Sequence, residues 1–266
     1  DFQKILDGTV EPWHAQYDSW AARGFLKDTY KESPDSIKKY LAANLHVKCG
    51  PLLHIVIPTL RCNLKCSYCH ASARAVSEDK FDMDITTAKK VVDMIFESPD
   101  KKINLEFQGG EPLLNWEVVD FVIDYAREQE KLENKNVRIL MVSNLVAAND
   151  GILRSLAERK VAICTSIDGH EKLHNMNRGS FKKTVANLKK AREIYKEIYD
   201  EHMPSGIATV TRDSLKYPRK IVDTYRRRGF EGLFARQINP FGFAKNTIKE
   251  KYYSPEEYLV FYRQLM

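Results

Sequence analysis

No run of apolar residues in this 266-residue chain approaches the roughly 20 residues that a helix needs to cross a bilayer. No apolar stretch of the signal-peptide kind stands at its beginning. A membrane is therefore not an expected partner. Cysteine is scarce: Cys49, Cys62, Cys66, Cys69 and Cys164 are all there are. Five is an odd number, and three of them fall in one short loop, so they do not read as a disulfide framework. They fit a reducing, cytoplasmic compartment. Internal repeats and low-complexity tracts are missing too, which excludes solenoids and scaffolding tails. The net charge is +6, but the positive residues are spread along the chain. Arg226-Arg227-Arg228 and Lys189-Lys190 sit on helical segments and read as solvated faces. No basic–aromatic module is present, so nucleic acid is not an expected partner.

What is there suits one large α/β domain with small appendages, since 43% of the residues are hydrophobic. Residues 1–50 are polar and helical in pattern, with Trp13, Tyr17, Trp20 and Phe25 at near-helical spacing and Pro34 opening a second helix to about Val47. They read as an N-terminal helical cap whose aromatics pack on the following domain. From Leu53 onward, strands alternate with amphipathic helices. Strands are expected at Leu53–Pro58, Ile103–Phe107, Val137–Val142, Val161–Ser166, Gly206–Thr211 and Leu233–Ile238. Helices are expected near Thr86–Phe96, Trp116–Glu130, Gly151–Glu158, Phe181–Ile198 and Leu215–Arg227. Repeated βα units give a parallel sheet with right-handed crossovers. Six units suit a partial, open (βα)6 barrel over residues 51–245. In such sheets chemistry gathers at the carboxyl ends of the strands. Residues 246–266 hold a helix capped by Ser254-Pro255-Glu256-Glu257.

The loop after the first strand reads Arg61-Cys62-Asn63-Leu64-Lys65-Cys66-Ser67-Tyr68-Cys69, a C-x3-C-x2-C spacing. Three thiolates so close together can hold an iron–sulfur cluster. A 4Fe–4S cube has four irons, so one iron stays open to something other than protein. Zinc would want a fourth Cys or His at knuckle spacing, and His70 adjoins Cys69 too closely to complete that tetrahedron easily. After the second strand comes Gln108-Gly109-Gly110-Glu111-Pro112. Its glycines allow close backbone approach to a ligand, and the carboxylate beside them can receive an ammonium. Ser143-Asn144 follows the third strand, Ser166-Ile167-Asp168-Gly169 the fourth, and His174-Asn175-Met176-Asn177-Arg178 comes shortly after. Cys164, inside a strand, reads as a core thiol.

Together these segments resemble the radical S-adenosylmethionine enzymes. The resemblance implies a 4Fe–4S cluster on Cys62, Cys66 and Cys69, with S-adenosylmethionine on the open iron and a 5′-deoxyadenosyl radical as the product of its reductive cleavage. It implies that Gly109, Gly110 and Glu111 take the methionine amino group. Ser143 and Asn144 would contact the ribose or the methionine carboxylate, and Ser166 and Asp168 would face the nucleoside, with Asp168 accepting from ribose hydroxyls. Arg178 would take the methionine carboxylate, as a fork-shaped guanidinium suits. Tyr68 would meet the adenine, with Thr209, Val210, Asn239 and Pro240 as further walls. Asn175 stands where many relatives have Asp.

Within the superfamily, Phe107–Asn115, Ser166–Gly169 and Arg236–Ala244 resemble the branch of anaerobic sulfatase-maturating enzymes and ribosomal-peptide maturases, above all those of the His-Xaa-Ser system. This implies modification, crosslinking foremost, of a precursor peptide, with a reductant such as ferredoxin or flavodoxin. Conversion of a protein Ser or Cys to formylglycine is the alternative reading, and a non-catalytic cluster-holding subunit is the third. Members of this branch usually continue into a cysteine-rich SPASM-type domain, and no cysteine follows Cys164. The expectation is of a fragment that stops where such an extension begins. No residue is marked by the sequence as a radical-quenching group or base.

Overall fold

The computed structural model describes residues 10–11, 13–22, 50–200 and 203–266. They belong to two compact units, Asp1–Pro51 with Ser98–Asp100, and Leu52–Glu97 with Lys101–Met266. In the first, helix α1 spans Tyr17–Ala22, and Trp20 stacks on His14 with ring centroids 4.7 Å apart. Trp13 is exposed there, while Tyr17 and Trp20 are half-buried. Phe25, Cys49 and the helix expected from Pro34 to Val47 lie outside the described residues.

The second unit carries six strands: β1 (Leu53–Val56), β2 (Lys102–Phe107), β3 (Asn136–Ser143), β4 (Val161–Ser166), β5 (Ser205–Val210) and β6 (Phe234–Gln237). They form one sheet in the order β1-β2-β3-β4-β5-β6, and every pairing is parallel. Parallel neighbours need crossovers, and helices supply them. These are α2 (Ile85–Phe96), α3 (Trp116–Leu132), α4 (Asp150–Glu158), α5 (Glu171–Asn177), α6 (Phe181–Ile198) and α7 (Pro218–Arg227), followed by α8 (Ala244–Lys251) and α9 (Pro255–Leu265). The architecture is a partial (βα)6 barrel.

The alternation along each strand sorts its two faces. Ile103, Leu105 and Phe107 of β2 and Val137, Ile139 and Met141 of β3 are buried, and they join the apolar stripes of the helices in one core. α3 contributes Val118, Val119, Val122, Ile123 and Ala126 to it. The alternate residues, among them Asn104, Glu106, Arg138, Leu140 and Val142, share the other, less buried face. Helix starts are locally fixed. Asp84 accepts from Thr87 N at 2.7 Å, Asn149 accepts from Ile152 N at 2.9 Å, and Ser254 and Glu257 form a capping box.

Element boundaries differ from the sequence expectation where loop contacts take over. β1 stops at Val56, two residues before Pro58, whose carbonyl accepts from Met83 N and Asn115 Nδ2 instead of a strand neighbour. Residues Ser214–Lys216 form a separate short 3-10 turn, and α7 starts at Pro218, a residue suited to a first helical position. Helices α5 and α8 were not expected. Among the described residues no helix is long and apolar enough to cross a membrane.

Candidate active site

The cysteine loop is held from four sides. Arg61 N donates to Thr59 Oγ1, and the Arg61 guanidinium grips Asp82, with Nε 2.9 Å from Oδ1 and Nη2 on Oδ2. Cys62 N donates to Arg74 O at 3.0 Å, and Arg74 N to Leu60 O at 2.7 Å, so the loop closes on its own base. Ser67 N donates to Asn177 O at the end of α5. From the far end of the chain, Ala244 N donates to Cys69 O at 3.1 Å, and Thr247 Oγ1 donates to Ser67 O at 2.6 Å. Helix α8, which sequence patterning missed, is thus the outer brace of this loop.

The glycine pair after β2 is pressed against that base. A Cβ on Gly110 would stand 2.1 Å from Arg61 O and 2.5 Å from Leu60 O. Gly109 has φ +129°, with Thr59 O only 2.5 Å from where its Cβ would be. Gly110 N donates to Thr59 O and Glu111 N to Arg61 O. Only glycine permits this backbone-on-backbone contact.

Glu111 is 1% exposed. Its carboxylate accepts from Ser143 Oγ at 2.7 Å, from Asn144 N at 2.8 Å and from Leu113 N at 3.3 Å. Burial pushes its pKa up, and these three donors only partly offset that. No cationic side chain is paired with it among the described residues. Ser143 and Asn144 therefore present Glu111, and Asn144 Nδ2 also reaches Asn63 Oδ1 at 2.9 Å in the cysteine loop.

At the end of β4 a buried carboxylate is fully engaged. Asp168 is buried, and its oxygens are already used. Oδ2 accepts from Tyr68 OH, while Oδ1 accepts from Arg178 Nε and from Thr209 N, each at 3.1 Å. Asp168 is not among the residues that line the cavity described below. It holds Tyr68 and Arg178. Burial works against the Arg178 charge, but Asp168 and Tyr68 outweigh it, and its pKa lies well above the ordinary value. Arg178 spans Tyr68, with its guanidinium 5.1 Å from the ring centroid, and Thr209, with Nη2 3.4 Å from Oγ1. Nη1 is 3.9 Å from Cys66 Sγ. Asn175, the departure from the resembling pattern, accepts from Phe181 N at 3.0 Å and so caps α6.

One cavity joins these parts. Cys62, Cys66, Cys69 and Tyr68 line it from the loop, Gly109, Gly110 and Glu111 from the end of β2, Ser143, Asn144 and Ser166 from the ends of β3 and β4, and Arg178 from the end of α5. Thr209, His70, Arg236, Gln237 and Asn239 line it as well. Sequence reasoning gave no role to Arg236; its signal is the period-two alternation of Phe234, Arg236 and Ile238. Burial pushes the Cys62 thiol up to about 12 and also raises Cys66, against which Arg178 acts. Thiolates in such a place need a metal to hold their charge. Among the described residues no three His, Cys, Asp or Glu side chains converge on a single ion. A tetrahedral zinc requires that convergence, whereas a cube takes each thiolate on a separate iron and needs only three thiols facing one space. The donor set fits the cube.

A parallel partial barrel with three thiols and a buried carboxylate at the strand ends is the framework of a cluster-dependent enzyme. Residues 56–231 match the radical SAM superfamily, and the chain belongs to it. Enzymes of this superfamily work with a 4Fe–4S cluster and S-adenosylmethionine. A cysteine-type anaerobic sulfatase-maturating enzyme of Clostridium perfringens is 25% identical over 212 residues, covering 77% of this chain and 56% of that enzyme. The radical SAM cyclopropyl synthase TigE of Paramaledivibacter caminithermalis is 26% identical over 171 residues, covering 59% of this chain and 35% of the synthase. The solved structure of native anSMEcpe with bound AdoMet superposes with a TM-score of 0.64 at 22% identity, covering 80% of this chain and 59% of that one. The chain thus spans little more than half the length of these relatives, or less.

Proposed function

We propose that this chain is the catalytic barrel of a radical SAM maturase that modifies a ribosomally made peptide. The observation that carries the reading is Glu111. It is a buried carboxylate that makes no ion pair among the described residues, with Arg178 acting on it only at a distance, on the wall of the same cavity as Cys62, Cys66 and Cys69. A buried charge of this kind wants an opposite charge, and the α-ammonium of S-adenosylmethionine supplies one. In this reading the three cysteines hold three irons. Gly109 and Gly110 let the methionine end approach the backbone, Glu111 takes its ammonium, and Arg178 takes its carboxylate. Ser143, Asn144 and Ser166 offer polar contacts, and Tyr68 borders the adenine. When bound, the reduced cluster and S-adenosylmethionine supply a 5′-deoxyadenosyl radical that removes a hydrogen atom from the substrate. The protein's part is to position the reactants and to exclude water. An external low-potential reductant, a ferredoxin or flavodoxin, completes the reaction.

Similarity to a cyclopropyl synthase supports bond formation within a peptide. Similarity to a sulfatase-maturating enzyme over a larger share of the chain supports a second reading, oxidation of a Cys or Ser to formylglycine. Mass spectrometry separates them. The cluster-loaded protein is incubated with candidate precursor peptides or with a sulfatase. Loss of two hydrogens from the peptide with an intact backbone supports crosslinking. An aldehyde at a Cys or Ser of the sulfatase supports the second reading. Absence of S-adenosylmethionine cleavage by the reconstituted protein would overturn both.

A further inference from the structure

Arg236 stands on β6 directly opposite Thr209 of β5, whose hydroxyl meets Arg178. Both arginines line the cavity, but their circumstances differ. Arg178 is paired with Asp168 and lies against Tyr68 and the Cys66 thiol. Arg236 is half-buried on β6. Among the described residues its guanidinium makes no ion pair, hydrogen bond or ring contact. The acids nearby do not serve it: the Glu111 carboxylate is enclosed by Ser143, Asn144 and Leu113, Asp168 is enclosed by Tyr68, Arg178 and Thr209, and Glu106 accepts from Gln108. His70 is another titratable neighbour, and Arg236 and Arg178 both act on it electrostatically. Beside Arg236 the inner face is apolar, with Ile207 in the cavity wall and Phe234 exposed. A half-desolvated guanidinium with its fork free is a carboxylate receptor waiting for a partner from outside the chain.

We propose that Arg236 recognises a carboxylate of the peptide substrate, either an Asp or Glu side chain or a free carboxyl terminus, and so selects acidic substrates. This rests on the peptide-maturase reading above. It goes beyond that reading by naming the substrate chemistry and the residue that chooses it.

The test uses a pool of short synthetic peptides with degenerate sequences and either free or amidated carboxyl termini. The pool is incubated with the protein loaded with cluster and S-adenosylmethionine, and retained peptides are sequenced by mass spectrometry. Retention of Asp and Glu over Asn and Gln, or of free over amidated termini, should reach roughly threefold or more. The first outcome assigns the side-chain source and the second the terminus. Arg236→Gln should abolish the preference, and Arg236→Lys should keep part of it. Iron content at the wild-type level in both variants shows that each is folded. No carboxylate preference in wild type, or a preference unchanged in Arg236→Gln, overturns the proposal. Loss of S-adenosylmethionine binding in Arg236→Gln with peptide preference retained would assign the arginine to the cofactor and also overturn it. Wild-type protein that cleaves S-adenosylmethionine yet shows no preference refutes only the role of Arg236; failure to cleave at all refutes the underlying reading.

Discussion

Thr247 Oγ1 donates a 2.6 Å hydrogen bond to the carbonyl of Ser67, 180 residues earlier in the chain. The bond fastens α8 to the backbone between Cys66 and Cys69. Thr247→Val keeps the shape and leaves that carbonyl unsatisfied, a loss on the order of 1 kcal/mol. The expected result is faster loss of iron from the reconstituted protein under a chelator. Wild-type kinetics in this variant would show that α8 does not brace the loop.

Replacing Cys62, Cys66 and Cys69 together by Ala should remove the bound iron and sulfide measured after anaerobic reconstitution, along with the brown colour. Cys164→Ala should leave both in place, because Cys164 lies on β4 away from the loop. About four irons retained by the triple variant would sink the cluster assignment.

S-adenosylmethionine binding should depend on pH through Glu111. Burial raises the pKa of this carboxyl, and only its ionised form pairs with an ammonium. Affinity is therefore highest between the raised Glu111 pKa and the titration of the ligand's ammonium, about 8, and declines as pH falls through the raised pKa. Glu111→Gln should bind more weakly within that window by roughly tenfold or more, the equivalent of one charge-assisted hydrogen bond. It should also lose the acid-side decline. Calorimetric titrations across pH report both effects, and identical profiles for the two proteins would remove Glu111 from the binding site.

Gly110→Ala should be strongly destabilising, by more than the 1–3 kcal/mol usual for overpacking, because the new methyl group meets two backbone carbonyls that cannot step aside. Gly232→Ala is the control, since nothing lies within 4 Å of its added methyl. Urea unfolding of the cluster-free proteins measures the difference. Equal midpoints for the two variants would mean that the two loops are not locked together.

Much of this arrangement was legible in the residues. Period-two runs such as Ile103-Asn104-Leu105-Glu106-Phe107 mark strands whose two faces meet different surroundings, and Cys62, Cys66, Cys69 and Glu111 carry chemistry that few other roles need. Short polar elements were not legible. Ala244-Lys245-Asn246-Thr247-Ile248-Lys249-Glu250-Lys251 has little apolar periodicity and no side-chain cap, so its helix depends on distant partners. The occupation of Asp168 was equally hidden, because Tyr68, Arg178 and Thr209 come to it from three separate parts of the chain.

Under the proposed reading, the order of the sheet bears on the substrate's own sequence. β1 and β6 are its two ends, and they do not pair with each other. A fully closed hoop of strands admits a polypeptide only by its tip or as a tight bend. A hoop with a slit admits it sideways, as a thread is laid into an open clasp. On the proposed peptide-maturase reading, an unclosed sheet sets no requirement that the modified residue stand at the end of its chain.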